Sequence, residues 1–571
     1  MQFIKEADRN FLLRCAQATD YEFLDKMIRN GVLFVHSSQT DWTELKLQEQ
    51  VQDERAHLGQ LAGAVLGVFS KLEEMQTDGR IVGRIPTLIW SLGKQYSTSN
   101  GPKANGRNEQ QRGDTLDTLQ SLATVPVAAN LILASTNVPV LIHLIEESPE
   151  NSQEILTLLD TALHTLSAPI NGILIKRLSE LFETTKNAKI IDNLIIFFVS
   201  QFSLQTPPKP LRLHLYRGMK NLLLSKLDET TRTNTLILLS LLLSHIGPPF
   251  LFDPPPTEAN AKQMALLTVR LASVGLQTGL NGIESDTSAT VIRRLAAEME
   301  ILHVTTAWLL SSEDDTLKVG NQPLSPDEIL KIQQSLAAAV KEVSVYLRGK
   351  YDEIKVSDKE VSFEEMVDPL VKTAVKFVGG WLGEGGSGAD EESLGLLEML
   401  ISLCTTGDTD IAVWAVRGIK GIILYTESGG QEVLVSKEKL VKLLDIVLEK
   451  LSTRDISAEA TILIREICSV CRILVDSQPL ILAERRIRTF PANVYDCFTT
   501  DNVDAVTWEA RTEAALLVLE IIVKMAEQEE YDRDLTRKWV LKLRTLVRMQ
   551  KEGETREDLE YLGAALENLN L

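Results

Sequence analysis

Apolar residues recur at three- and four-residue steps through almost the whole 571-residue chain, and the breaks between these runs are short. In Ser152–Leu166, "SQEILTLLDTALHTL", the residues Ile155, Leu158, Leu159, Leu163 and Leu166 share one helical face. In "EESLGLLEMLISL", Leu394, Leu397, Leu400 and Ile401 do the same. The interruptions are polar or carry Gly and Pro, as in "EESPENS", "LQTPPKP" and "TTGDTD". No stretch shows the alternation of a half-buried strand. A helix with one apolar face must cover it with a neighbour, and a long file of helices does so by stacking. The pattern therefore predicts an all-α fold, an α-solenoid of degenerate armadillo/HEAT-like helical repeats. Two-helix units of this kind take ~40–47 residues, so the length accommodates roughly a dozen. The whole chain, residues 1–571, is read as a single elongated helical-repeat domain.

Two segments depart from the pattern. Residues 97–115, "STSNGPKANGRNEQQRGDT", carry no large apolar side chain and are expected to form a mobile loop between helices. Residues 383–392, Gly-rich and then acidic, are expected to join two helices. The helix before them is expected to start at Pro369 with Asp368 as its cap. Trp381 lies on the stripe of Leu370, Ala374 and Val378, and is expected to anchor the core. A simple hairpin would bring Leu394 and Leu397 back over that stripe.

Composition narrows the function classes. The net charge is −20, which disfavours nucleic acid as a partner, because phosphates call for exposed Lys and Arg. Five sparse cysteines, Cys15, Cys404, Cys468, Cys471 and Cys497, suit reduced thiols in the cytosol or nucleus. The start "MQFIKEADRN" does not read as a secretory signal. The most apolar run, Leu236–Ile246, is too short for a membrane span, which takes ~20 residues, and is expected to be a core helix.

Motifs that would carry chemistry lack their context. "GEGGSG" matches the dinucleotide fingerprint at Gly383, Gly385 and Gly388, but it follows a helical stripe rather than a strand and runs into Asp390, Glu391 and Glu392. Cys468 and Cys471 have C-x-x-C spacing, yet they fall on a helical stripe with Ile464 and Val475 and want for further ligands. His143 and His164 sit in Leu-rich helices, and "DTD" at Asp408–Asp410 lacks the rest of a calcium loop. No catalytic residue, metal ligand or cofactor site is expected, and the chain is read as not an enzyme. One charge pattern remains. Thr536–Lys551 carries Arg537, Lys538, Lys542, Arg544, Arg548 and Lys551 opposite Trp539, Leu543, Leu546 and Val547. Such a helix can meet an anionic partner or membrane surface, or simply dock through its apolar face. Arg537, Lys538, Lys542, Arg544 and Arg548 are the candidate partner-binding residues. "AERRIRTF" adds Arg485, Arg486 and Arg488.

Several segments, in this order, resemble the neurochondrin family: "HLGQLAGAVLGVFSKL", "PPKPLRLHLYRGMKNLLLSKL" with Tyr216 and Leu227, "AKQMALLTVRLASVGLQTGL", "DPLVKTAVKFVGGWLGEG" and the tail "RTLVRMQKEGETREDLEYLGAALE". The clearest is the turn of Gly380, Trp381, Leu382 and Glu384, with Gly379 one residue further back. The resemblance implies a cytoplasmic helical-repeat protein without enzymatic activity that acts through protein partners. In animals the family is tied to neurite outgrowth and neuronal signalling, including restraint of calmodulin-dependent kinase. The lipid-accepting cysteine pair that can begin animal members is not matched by "MQFIKEADRN", and the stretch after the Trp-Leu turn is shorter. The expected function is thus a cytosolic protein-interaction scaffold or regulator, with the nucleus as a second location. Its alternatives are a regulatory subunit of an enzyme complex and a peripheral membrane adaptor using the basic C-terminal helix.

Overall fold

The computed structural model describes residues 66–67, 70–71, 76–97, 106–166, 172–255, 258–283, 288–311, 317–356, 368–383, 391–428, 435–453, 456–497, 505–527 and 533–549. By contact pattern they fall into two units, Met1–Met264 and Ala265–Leu571.

The first unit is two rows of helices. One row holds α2 (Ile85–Ser97), α5 (Val138–Glu147), α7 (Gly172–Thr184) and α9 (Arg212–Leu223). The other holds α4 (Pro126–Ile132), α6 (Ser152–Leu166), α8 (Ala188–Phe202) and α10 (Glu229–Ile246). The short α1 (Gly79–Val82) and α11 (Pro249–Phe252) flank them, and α3 (Gly106–Leu122) packs on α2 and α6. The quoted stripe of α6 is inward: Ile155, Leu158, Leu159 and Leu163 are buried. Phe198 packs against Phe182, Phe197 and Phe202 at centroid distances of 5.6–5.8 Å. Each buried Leu or Phe contributes ~1.5–3 kcal/mol. Ends are set locally. Asn187 accepts from the Lys189 and Ile190 amides, and Asp228 from the Thr231 amide. Gly247, at φ +83°, closes α10.

The second unit repeats the scheme. One row holds α13 (Ala289–Leu310), α15 (Pro369–Gly383), α18 (Thr409–Ser428), α20 (Ala458–Ser477) and α22 (Ala505–Glu527). The other holds α14 (Pro326–Val356), α16 (Glu391–Leu394), α17 (Leu397–Cys404), α19 (Lys437–Leu451), α21 (Arg485–Cys497) and α23 (Arg533–Met549). Helix α12 (Ala261–Leu280), apart from its first residues, belongs to this unit.

Hydrogen bonds between neighbours in a row expose the repeat length. Asn193 donates to Ser152 Oγ and Gln201 to Asp160, each across 41 residues. Lys439 reaches Glu398 across 41, Arg486 reaches Asp445 across 41, and Arg417 reaches Glu466 across 49. These steps match a two-helix unit. The fold is the expected all-α solenoid of armadillo/HEAT-like repeats.

Four local findings differ from the sequence reading. Helix α3 begins at Gly106 and so takes in the second half of the stretch expected as a loop; Gln, Glu and Arg favour a helix even without an apolar stripe. Residues 98–105 lie outside the described residues, as do 384–390 of the second expected loop. A two-residue hairpin pairs β1 (Lys318–Val319) with β2 (Gln322–Pro323), too short to show alternation. Gly395 and Leu396 split the expected "EESLGLLEMLISL" helix into α16 and α17.

The fourth difference concerns Trp381. It is buried at 4% exposure, and α15 starts at Pro369 with Asp368 accepting from the Val371 amide at 2.8 Å, as expected. But α15 packs between α13 and α18, while α17 packs on α18 and α19. Glycines decide this. A Cβ on Gly379 would lie 2.1 Å from the Trp414 carbonyl oxygen, and one on Gly421 would lie 2.1 Å from that of Leu382. The backbones of α15 and α18 meet where side chains would have held them apart.

Candidate protein-docking trough

Helix α14 is 31 residues long, and its start is fixed by a reciprocal cap. The Ser325 amide and hydroxyl both donate to Glu328 Oε2 at 2.8 Å, and the Glu328 amide donates back to Ser325 Oγ at 3.3 Å. Beside it runs α12. The Ser273 hydroxyl, buried, donates to the Ser335 carbonyl at 2.8 Å. Around this bridge the helices leave a cleft of ≈630 Å³. Val269 and Ile332 form its apolar floor, and Arg270, Gln277, Lys331 and Gln334 line its sides. Val274, also in the lining, is 51% exposed. Leu330, one turn before Gln334, is 51% exposed.

A second cleft of ≈600 Å³ continues along the same helices. The end of α12 contributes Leu280 and Asn281, the second half of α14 contributes Val345 and Tyr346, and Leu370 comes from the start of α15. Its charged lining is Glu342, Glu353, Asp368 and Lys350, and Lys350 donates to Glu353 at 2.8 Å. Burial, with Asp368 and Glu353 nearby, raises the Tyr346 phenol above its ordinary pKa and keeps it protonated. In the first cleft the balance is reversed: Arg270 and Lys331 face one carboxylate, Glu328, already held by Ser325. Among the described residues neither Arg270 nor Lys331 forms an ion pair. An apolar floor between polar walls suits a polypeptide segment.

The basic residues singled out in the sequence lie elsewhere, on α23. Arg537 and Lys538 are exposed and Lys542 is half-buried; the side chains of Arg544 and Arg548 lie outside the described residues. Trp539 docks the helix. It is fully buried, its indole N–H donates to the Pro491 carbonyl at 3.1 Å, and Tyr495 meets it edge-on at 5.5 Å. Leu541 is 65% exposed between the cations. In "AERRIRTF", Arg486 pairs with Asp445 at 2.8 Å and Arg488 donates to the Leu482 carbonyl. Cys468 and Cys471 are fully buried on α20, and burial pushes both thiols well above their ordinary pKa. Gly385 and Gly388 of "GEGGSG" lie outside the described residues.

The trough itself was not foreseen. Its lining residues are ordinary in type, and α12 reads as a Leu-rich packing helix. The available signal was an apolar residue off the buried stripe: Val274, Leu330 and Val345 are each exposed on helices whose other apolar residues are mostly buried.

The chain matches the Neurochondrin family over residues 4–477, a span that includes the trough and ends at the last residue of α20, before α21–α23. No curated protein matches. Among solved structures, one from work on a phosphorylation switch controlling the interaction between cadherin and β-catenin aligns with TM-score 0.52 and 12% identity, covering 100% of this chain and 99% of that one. The crystal complex of SYS-1 with POP-1 aligns with TM-score 0.52 and 11% identity, covering 99% and 93%. SYS-1 alone gives 0.51 and 10%, covering 98% and 93%. At these identities the likeness is one of fold.

Proposed function

This chain belongs to the neurochondrin family, and from that premise we propose that it is a non-enzymatic scaffold that holds a partner polypeptide in the trough between α12 and α14. Family and armadillo-like fold support a protein-interaction scaffold in general. The observation that carries the specific reading is the pairing of an apolar floor, Val269 and Ile332, with the solvent-exposed Val274 and Ala338 in one cleft. Apolar surface left uncovered beside a concave floor is what a binding partner would cover. In the neighbours' structures the proteins studied are β-catenin with cadherin and SYS-1 with POP-1, which supports polypeptide capture as a use of this fold. The site of action is the cytosol, with the nucleus as a second location; among the described residues Cys404, Cys468 and Cys471 are free and buried and Cys497 is free and half-buried, which supports this. Benzoylphenylalanine in place of Ala338 tests the reading. Light-dependent crosslinks to another polypeptide at 338, absent with the same probe at exposed Glu154 of α6, are expected. Equal crosslinking at both positions would refute it.

A second reading rests on α23. Arg537 and Lys538, exposed, and Leu541, exposed nearby, give a basic and apolar surface suited to an anionic partner or membrane. Flotation of the chain with phosphatidylserine vesicles, lost in Arg537→Glu/Lys538→Glu, is the outcome that would favour it.

A further inference from the structure

The two clefts differ in charge along one continuous path. Lys331 and Arg270 sit at the end where α14 begins and Glu353 and Asp368, with Lys350, at the other; Glu342 lies midway along α14 between Lys331 and Glu353. The net lining charge is therefore +1 in the first cleft (Arg270 and Lys331 against Glu328) and −2 in the second (three carboxylates against Lys350). At 1.5 Å per residue, Lys331 and Glu353 are about 33 Å apart along α14. That is the span of about ten extended residues. Val274, Ala338 and Val345 give the path between them exposed apolar surface, with Glu342 standing among them. Opposite charges at the two ends of a groove discriminate between the two directions in which a chain can lie, since the reversed orientation sets like charges together.

We infer that the trough is directional and takes a polypeptide segment with acidic residues at one end, over Arg270 and Lys331, apolar residues over Val274 and Ala338, and basic residues over the other half, from Glu342 to Glu353 and Asp368. Charge complementarity selects this occupant. A uniformly acidic segment would meet the carboxylates of the second cleft, and a uniformly basic one the cations of the first.

The inference rests on the trough being the docking site, and the test separates the two. A phage library of random 20-residue peptides is panned on the full chain after depletion on the Ala338→Trp chain, in which the added ring fills the first cleft. The enriched peptides are expected to carry acidic and basic clusters separated by an apolar stretch. A fluorescein-labelled member should bind Arg270→Glu/Lys331→Glu at least tenfold more weakly, and exchanging the peptide's acidic cluster for a basic one should restore binding to that variant. Enriched peptides without charge separation, or affinity within twofold on charge reversal while Ala338→Trp abolishes binding, overturn the directionality and leave the trough as a docking site. No enrichment, or equal binding to Ala338→Trp, overturns both. Matching thermal melts of the variants exclude misfolding as the cause.

Discussion

Arg472 Nε and Glu520 Oε2 lie 2.7 Å apart although 48 residues separate them in sequence. The pair joins α20 to α22, neighbours in one row, and Arg417–Glu466 and Lys376–Glu300 make the same kind of link between earlier helices. Apolar stripes bury each helix; these partly buried pairs fix how it sits on the next. A double-mutant cycle on Arg472→Met and Glu520→Gln should return a coupling of about 1 kcal/mol in urea unfolding. Coupling indistinguishable from zero would make the pair a passenger of the packing.

Glycines set the spacing of α15 and α18, and the sign of a Gly→Ala change should depend on what the methyl meets. Gly379→Ala should destabilise by about 1–3 kcal/mol, because the new atom collides with the Trp414 carbonyl. Gly113→Ala, exposed in α3 with nothing within 4 Å, should stabilise by up to about 1 kcal/mol. Denaturant midpoints of the two variants should move in opposite directions.

His303 gives the fold an acid limit. Buried between α13, α15 and α18, edge-on to Trp414 at 4.8 Å, its imidazole is pushed down to about 3 by burial first and then by Lys376 and Arg417. The ordinary value is 6.5. Between those two values the unfolded chain takes up a proton that the folded chain refuses. Stability should therefore fall as pH drops below about 6.5, by up to ~1.4 kcal/mol per pH unit, and the His303 contribution should level off near pH 3. His303→Gln should remove that share of the slope. An unchanged slope between pH 6 and 4 would place the proton-linked loss elsewhere.

Trp539→Ala should free α23 from α21 at a cost of about 3–5 kcal/mol, seen as early proteolysis after Arg533 with the preceding helices intact. Arg537→Glu should stay within about 0.5 kcal/mol of the parent, since its side chain is exposed. Equal losses from both would mean that the cations, not the indole, hold the helix.

What the sequence made legible follows from which forces leave a local trace. Helix stripes, the Asp368–Pro369 start and the burial of Trp381 are set by neighbours three or four residues away, and all appear as read. The partner of α15 does not, because two glycines chose α18 by steric absence, and absence has no period. The repeat step was present in the sequence only as pairs such as Lys439 and Glu398, 41 residues apart, which have no meaning until the helices stack. The trough was hidden for the opposite reason: α12 and α14 carry sound packing stripes, and the cleft arises where Ser273 bridges to Ser335 instead of an apolar pair closing the gap.

The most direct measurement is quantitative co-purification of the full chain against its Ala338→Trp variant from the same cells, with Gln333→Trp, exposed on α14 but outside the lining of both clefts, as control. A scaffold working through the trough predicts that a defined set of polypeptides bound by the parent and the control falls at least tenfold with Ala338→Trp, at unchanged melting temperature. An identical set of partners at identical levels with Ala338→Trp would contradict it.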